Sequence, residues 1–376
     1  MNRKLQLLGL SLLAITFTTT LAFNAQTAFA GSALDSLLTD ERKVTELAPG
    51  VYEIRHKDPI PGWVNGNTLV VIGEREVLVV DSCQLPPSAR EDVAQIRQWT
   101  SKPVRWLVNT HWHEDHNGAN NVYMDAFPGI AIVAHPMTRE MIASTGPHVP
   151  AQMQRDAVAV HDRLAKRLET GKEDDGVKPL TDERRAATEK RLAQVEEGMA
   201  GVKEFTLQLP TLTFDSELTI DLGGREVRVI HPGRGNTAGD VVVYLPKEKI
   251  LATGDLVVSP VPFMFDGYPT EWIETLNKLD RMDATLLVPG HGNVMHDKVY
   301  LESVAAMMKE LVEQVHAQLR KGGNDMSLED VKKAIDMKPY RDKFCPTGSD
   351  QACAPTFDLS VGEKFMEIAF HEAKAR

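Results

Sequence analysis

The stretch Val104-Arg-Trp-Leu-Val-Asn-Thr-His-Trp-His-Glu-Asp-His116 passes from a short apolar run into four metal-ligand side chains, His111, His113, Asp115 and His116. The alternating and β-branched residues up to Thr110 read as a buried strand that delivers the ligands at its end. His111 and His113 are two apart, so on an extended loop their imidazoles turn to one side. Asp115 and His116 follow at the bend and reach a second point nearby. Imidazole and carboxylate donors suit borderline-soft divalent ions such as zinc. A lone histidine is more often packed or solvated than a ligand, but three with an aspartate at fixed spacing after a strand point to a metal site.

Outward from this stretch, short apolar runs alternate with helical patterns. Val51–Ile54, Thr68–Ile72, Val77–Val80, Val104–Val108 and Ile130–Val133 read as strands, with a helix from Pro87 to Trp99. A second block, residues 205–292, holds Leu218–Ile220, Val227–Ile230, Val241–Leu245, Ile250–Leu251 and Leu286–Val288. Strands interleaved with helices indicate the α/β class, and two strand-rich halves suggest two sheets packed face to face with helices outside. Residues 151–200 interrupt the scheme as a helical insertion, with Leu164 and Leu168, and Leu192, Val195 and Met199, at helical spacing. Charge-rich helices are usually exposed faces, so a solvated hairpin is preferred slightly over a lid or an oligomer contact. The principal domain is expected to run from 31 to 320, followed by a helical C-terminal extension, 321–376. There Ser327 with Asp330, and Ser360 with Glu363, read as helix-opening caps.

The first 30 residues differ in kind. A basic start, an apolar or hydroxylated run from Leu7 to Ala22 and the triplet Ala28-Phe-Ala30 read as a signal peptide cut before Gly31, hence a periplasmic or secreted protein. The strongly apolar part is shorter than the roughly 20 residues a span needs, so no stable membrane insertion is expected after cleavage. The 376-residue chain carries a net charge of −11, which becomes −13 once Arg3 and Lys4 are lost with the leader. So acidic a surface is a poor general binder of nucleic acid, which disfavours nuclease functions and leaves a small-molecule substrate as the expected partner. Oligomeric state is not readable. Of three cysteines, Cys345 and Cys353 flank a loop short enough to close as a disulfide, and Cys83 is read as a small buried thiol rather than a ligand or nucleophile.

A site built from one loop is incomplete, so further ligands are sought where later strands end in glycine-bearing turns. Leu251-Ala-Thr-Gly-Asp255 offers a carboxylate and Val288-Pro-Gly-His-Gly292 an imidazole. Alone, either is weak evidence, since an Asp after Thr-Gly is more often a turn residue. Taken in order, Val-Asp81, Thr-His111-x-His113-x-Asp115-His116, a Gly-rich loop at 233–240, Thr-Gly-Asp255 and Gly-His291-Gly resemble the metallo-β-lactamase superfamily over roughly residues 50–292.

The resemblance implies an αββα four-layer sandwich with metals at one edge of the two sheets. It implies that His111 and His113 serve a first metal position, Asp115, His116 and His291 a second, and that Asp255 bridges them. Asp81 would support the ligands from behind, although a strand-ending turn Asp is nearly as good a reading. The cofactor implied is one or two zinc ions, with iron or manganese left open. One position departs from the pattern: Asn236 stands in Gly-Arg-Gly235-Asn-Thr-Ala-Gly239-Asp where the family carries a histidine ligand. An amide oxygen is a poorer zinc donor than imidazole. Three outcomes stay open: a weakened pair with Asn236 as ligand or water partner, a single metal at the second position, or a shifted loop in which His231 substitutes. The remaining histidines read as structural or solvated, His135 being the one that could approach the site.

The function implied is metal-dependent hydrolysis through a metal-bound hydroxide, with Asp115 orienting the water or accepting its proton. No Gly-x-Ser-x-Gly elbow and no Gly-Lys-Ser/Thr loop occurs, so serine-hydrolase and nucleotide-hydrolase readings lack support. Asp255 looks more like the bridging carboxylate of thioesterase and lactonase branches than the cysteine or serine of true β-lactamases. A small ester, lactone, thioester or amide is therefore the expected substrate class, β-lactams included. A degenerate ligand-binding protein without turnover and a single-iron oxygenase of the sulfur-dioxygenase type remain as other readings.

Overall fold

A computed structural model of the protein describes residues 41–375 apart from 61, 324 and 351. The expected leader and its cleavage point lie outside these residues. Among them, twelve strands form two sheets, ordered β1-β2-β3-β4-β5-β6-β7 and β12-β11-β10-β9-β8. In the first, β1 (Lys43–Ala48), β2 (Val51–Arg55), β3 (Thr68–Ile72) and β4 (Val77–Val80) run antiparallel. Then β4, β5 (Val104–Val108), β6 (Ala131–Ala134) and β7 (Leu212–Thr213) run parallel. The second sheet holds β8 (Glu217–Asp221), β9 (Glu226–Ile230), β10 (Val242–Leu245), β11 (Ile250–Val258) and β12 (Leu286–His291), of which only β11 and β12 pair in parallel.

Period-two alternation assigns the layers. Leu69, Val71, Leu78, Val80, Val108 and Val133 face the other sheet and pack against Val227, Val229, Val243 and Ala252. Their chain neighbours Val70, Val77, Val79, Leu107 and Ile132 point outward onto the helices α1 (Pro86–Trp99), where Val93 and Ile96 meet them, and α3 (Asn120–Ala126), which supplies Tyr123. Between these two helices lies the short α2 (Glu114–Asn117). On the far side Val242, Leu251 and Leu256 face Trp272 and Leu276 of α7 (Pro269–Asp280), Met308 and Leu311 of α8 (Val299–Gly322), and the C-terminal helices. The result is helix, sheet, sheet, helix.

The charge-rich segment 151–200 falls on two long paired helices. Helix α4 (Pro136–Thr145) leads through a 3-10 turn into α5 (Val149–Thr170), which pairs with α6 (Asp182–Lys203). It is not a bare solvated hairpin. Ala157, Val160, Leu164 and Val195 close over Ile60 and Trp63, while Val149, Met153 and Val202 close over Leu85. Gly198 lets the hairpin approach so closely that an added Cβ would sit 2.3 Å from Ile60 Cγ1.

At the C-terminus, Ser327 and Asp330 form a reciprocal capping box at the start of α9 (Leu328–Ala334). After α10 (Lys338–Phe344), a disulfide joins Cys345 to Cys353, the first residue of α11 (Cys353–Phe357). Ser360 opens no helix, contrary to expectation. The chain is already helical from Cys353 and continues through a π-helical turn, Asp358–Phe365, into α12 (Met366–Ala375). Ser360 is buried, donating to the Pro262 carbonyl at 2.5 Å and accepting from Met264 N–H at 2.8 Å, so its hydroxyl ties the helix to the loop after β11. Among the described residues no helix is long and apolar enough to cross a membrane.

Candidate metal centre

The centre forms where β4 and β5 of one sheet meet β11 and β12 of the other. Beyond β5, Asn109 and Thr110 stay buried, and the chain turns at His113 into α2. Asp255 does not sit in a strand-ending turn, as its Thr-Gly-Asp setting suggested. Strand β11 continues through it to Val258, with a register shift against β12 at Gly254. That glycine has φ +52°, and a Cβ there would lie 2.7 Å from Thr110 Cβ, so the bulge lets the two sheets approach at the site. His291 ends β12.

Asp81, at the end of β4 with φ +60°, organises the histidines from behind. One carboxylate oxygen accepts from Thr110 N–H at 2.8 Å; the other accepts from Thr110 Oγ1 and His116 Nδ1, each at 2.8 Å. With its own proton given to Asp81, Thr110 Oγ1 accepts from His111 Nδ1 at 3.0 Å. One aspartate thereby fixes both imidazoles with Nδ1 protonated and Nε2 free toward the centre.

The free atoms converge in two groups. His111, His113 and Asp255 form one, and Asp115, His116 and His291 the other, each with its ligand atoms within 4.8 Å of one another. His111 Nε2 lies 2.9 Å from His113 Nδ1 and 3.7 Å from Asp255 Oδ2. His116 Nε2 lies 3.1 Å from His291 Nε2, and Asp115 Oδ2 is 2.9 Å from His291 Nε2 and 3.3 Å from His116 Nε2. Asp255 Oδ1 faces the second group, 3.2 Å from His116 Nε2 and 3.5 Å from His291 Nε2. Asp255 thus turns one oxygen toward each group.

These residues fit divalent cations. Nitrogen lone pairs turned toward one another repel unless a proton or a metal lies between them. Asp255 Oδ1 is buried with no hydrogen-bond partner among the described residues. Gly290 leaves that oxygen room, since a Cβ there would fall 1.9 Å from it. In the metal-free protein the charges must pair instead. Burial pulls the imidazoles down, but Asp255 and Asp115 outweigh it at His291, raising it to about 10, and Asp115, Asp255 and Asp81 hold His116 well above its ordinary value. Burial and the neighbouring His116 keep His111 well below its ordinary value, hence neutral and ready to ligate.

Asn236 is also buried, and its Nδ2 has no hydrogen-bond partner among the described residues. In the same loop Asp240 accepts from Thr237 N–H at 2.8 Å and Thr237 Oγ1 at 2.7 Å, and burial raises its carboxyl to about 7. His231 is not among the gathered residues. Its Nδ1 donates to the Asp240 carbonyl at 2.7 Å, and its ring stacks on His135 at 4.2 Å. His135 in turn caps α4, accepting from Met137 N–H at 3.2 Å.

Sequence reasoning missed Asp266, whose Oδ2 lies 3.7 Å from His113 Nε2, the ring nitrogen turned away from His111. It also missed the aromatic surround. Trp112 packs edge-on to His113 at 4.5 Å, and Phe263 lies 6.4 Å from His291 and 5.5 Å from Phe265. Phe263, Phe265 and Asp266 share the loop after β11, and only the proximity of that loop to Asp255 in the chain could have signalled them.

Comparison with known proteins follows the same lines. Residues 61–291 match the family model described as the metallo-beta-lactamase superfamily. The chain is 23% identical over 287 residues to a linear primary-alkylsulfatase of Pseudomonas sp. (strain ATCC 19151), covering 72% of this chain and 50% of that protein. It is 26% identical over 229 residues to the 2,4-dinitroanisole O-demethylase subunit alpha of Nocardioides sp. (strain JS1661), covering 60% and 52%. The chain therefore spans about half the length of these curated relatives. A solved metallo-beta-lactamase from Pontibacter korlensis superposes with a TM-score of 0.51 at 21% identity, over 72% of this chain and 99% of that one, which establishes the shared fold.

Proposed function

The chain belongs to the metallo-beta-lactamase superfamily, and on that premise we propose that it is a metal-dependent hydrolase, zinc being the first candidate, of a small organic ester, lactone, thioester or amide with an apolar substituent. The observation that carries this reading is Asp255, whose two oxygens face two separate groups of histidine and aspartate atoms. Bound divalent ions would polarise the scissile group and lower the pKa of water there. His111, His113 and Asp255 would hold one ion, with Asn236 as ligand or water partner, and Asp115, His116, His291 and Asp255 the other. Asp115 faces His291 and His116 from one side, suited to orient a water and accept its proton. Trp112 and Phe263 give an apolar substituent something to lie against and exclude bulk water from the reacting group. The two named relatives support the apolar class, since an alkyl sulfate and an aryl methyl ether both pair a small leaving bond with a hydrophobic body. We further propose that the protein works outside the cytoplasm, on the strength of its first 30 residues.

The test is metal analysis joined to a panel of alkyl and aryl esters, sulfate esters, lactones, thioesters and β-lactams. Hydrolysis that chelation abolishes and added metal restores is expected, with Asp115→Ala losing at least about a hundredfold, the lower range for removal of a proton-transfer group. A protein with less than one equivalent of metal, or an Asp115→Ala variant of unchanged activity, would overturn the reading. Iron with oxygen uptake would replace hydrolysis by oxygenation.

A further inference from the structure

Behind the centre lies a second convergence of ligand atoms. His56, Cys83 and Asp92 are all buried, at 2%, 0% and 0% exposure. They come from the segment after β2, the turn after β4, and α1. His56 Nε2 lies 2.8 Å from Asp92 Oδ2 and 3.2 Å from Cys83 Sγ, and Sγ lies 3.4 Å from the same carboxylate oxygen. At the candidate metal centre, nitrogen and oxygen ligand atoms converge at 2.9 to 3.7 Å, and the trio is gathered at least as closely.

The tautomer of His56 sharpens the comparison. Its Nδ1 is 2.9 Å from the Gly66 carbonyl, an acceptor only, so Nδ1 carries the proton. Nε2 is held 2.8 Å from a carboxylate oxygen that is itself an acceptor, so a proton or a metal ion must lie between them. Metal-bound histidine characteristically gives its other N–H to a backbone carbonyl, which is the arrangement here. Asp92 keeps its second oxygen for Arg42, at 2.9 Å, and its first also accepts from Tyr123 Oη at 3.3 Å.

We propose that His56 Nε2, Cys83 Sγ and Asp92 Oδ2 bind a metal ion of zinc type in a structural site separate from the candidate catalytic centre. Thiolate, imidazole and carboxylate together select zinc over magnesium or calcium. Binding displaces to solvent both the thiol proton of Cys83 and the proton that His56 Nε2 holds toward Asp92, and a dication with one thiolate and one carboxylate is a neutral unit, suited to burial. The ion would cross-link the β2 and β4 ends to α1 beneath Gly66, which packs so tightly on His116 that a Cβ would lie 2.5 Å from its ring. Its role would be to hold that floor in place.

The chain has three cysteines and two form a disulfide, so a metal–thiolate signal can come only from Cys83. Protein produced with cobalt in the medium is expected to show a near-ultraviolet thiolate-to-cobalt charge-transfer band. Cys83→Ala should lose the band and one equivalent of metal while keeping the weak visible bands of the histidine and aspartate centre. Should that variant fail to fold, X-ray absorption at the zinc edge of the unaltered protein decides instead, with a sulfur scatterer at about 2.3 Å expected. Unaltered protein with no charge-transfer band and no sulfur scatterer, its trio held by a proton alone, overturns the proposal whatever its activity.

Discussion

Asp81 acts on the centre without facing it, because two of the histidines are held by its carboxylate, one directly and one through Thr110. Asp81→Asn keeps a residue tolerant of φ +60° but sets an amide N–H₂ against donors on one side or the other. Metal affinity is expected to fall about 10- to 100-fold, read by chelator competition, with little change in the folded far-ultraviolet spectrum. Asn236 is the opposite case. Its buried Nδ2 has no hydrogen-bond partner among the described residues, and if it serves the first ion as proposed, Asn236→His should slow metal loss from the first group under chelator challenge. Unchanged release kinetics would mean the loop does not present this residue to the ion. The hexapeptide His111–His116 announced a centre because ligand type and spacing are local properties of the chain. Asp266 left no such trace, since its place beside His113 is set by how the loop after β11 folds back over another sheet's edge.

Among the elements, strands were readable where apolar residues run on or alternate, as in β3, β4 and β9, and unreadable where neither pattern exists. β3 and β4 are continuous apolar runs, whereas β1 shows the solvent most of its length and β7 is only two residues long, so neither carries a pattern. The extension of β11 through Gly254 and Asp255 was hidden because Thr-Gly-Asp carries the composition of a turn, and only pairing with β12 makes it a strand. The hairpin of α5 and α6 was recognisable as helices, but its burial was not, because the residues it covers, Ile60 and Trp63, lie about a hundred positions away in the chain. Gly198 measures that contact. An alanine there would gain up to about 1 kcal/mol of helix propensity, which blurs the outcome, so bulk is the cleaner probe. Gly198→Leu is expected to cost about 1–3 kcal/mol by overpacking against Ile60, read as a lowered melting temperature. Because the same segment runs on to Gly66 against His116, chelator resistance should fall with it; a destabilised variant with unaltered metal retention would show the hairpin to be independent of the site.

For the molecule as a whole, the centre joins the two sheets: His111, His113, Asp115 and His116 follow a strand of one, and Asp255 and His291 lie on strands of the other. A bound ion is therefore a cross-link between layers, and ligation of the native state alone stabilises it by about 4 kcal/mol at a thousandfold excess over the dissociation constant. Its pH dependence follows from the imidazoles. In the metal-free fold the neighbouring carboxylates outweigh burial and raise His291 to about 10, and His116 moves the same way, whereas in the unfolded chain both titrate near 6.5. Between about pH 6.5 and 10 the metal-free native state holds protons that the unfolded chain has released, so its stability falls as pH rises through that window. Asp240 adds to the fall at lower pH, because burial lifts it to about 7 and it stays protonated in the fold after the unfolded chain has ionised. The metal-loaded protein has exchanged the imidazole protons for ions and lacks the first of these slopes. The gap in melting temperature between loaded and chelated protein should therefore be small near pH 6.5 and widen toward pH 9, the widening coming from the chelated form. A gap that narrows with rising pH would mean that His116 and His291 are not the groups the ions displace protons from, and the assignment of the second position would have to move elsewhere.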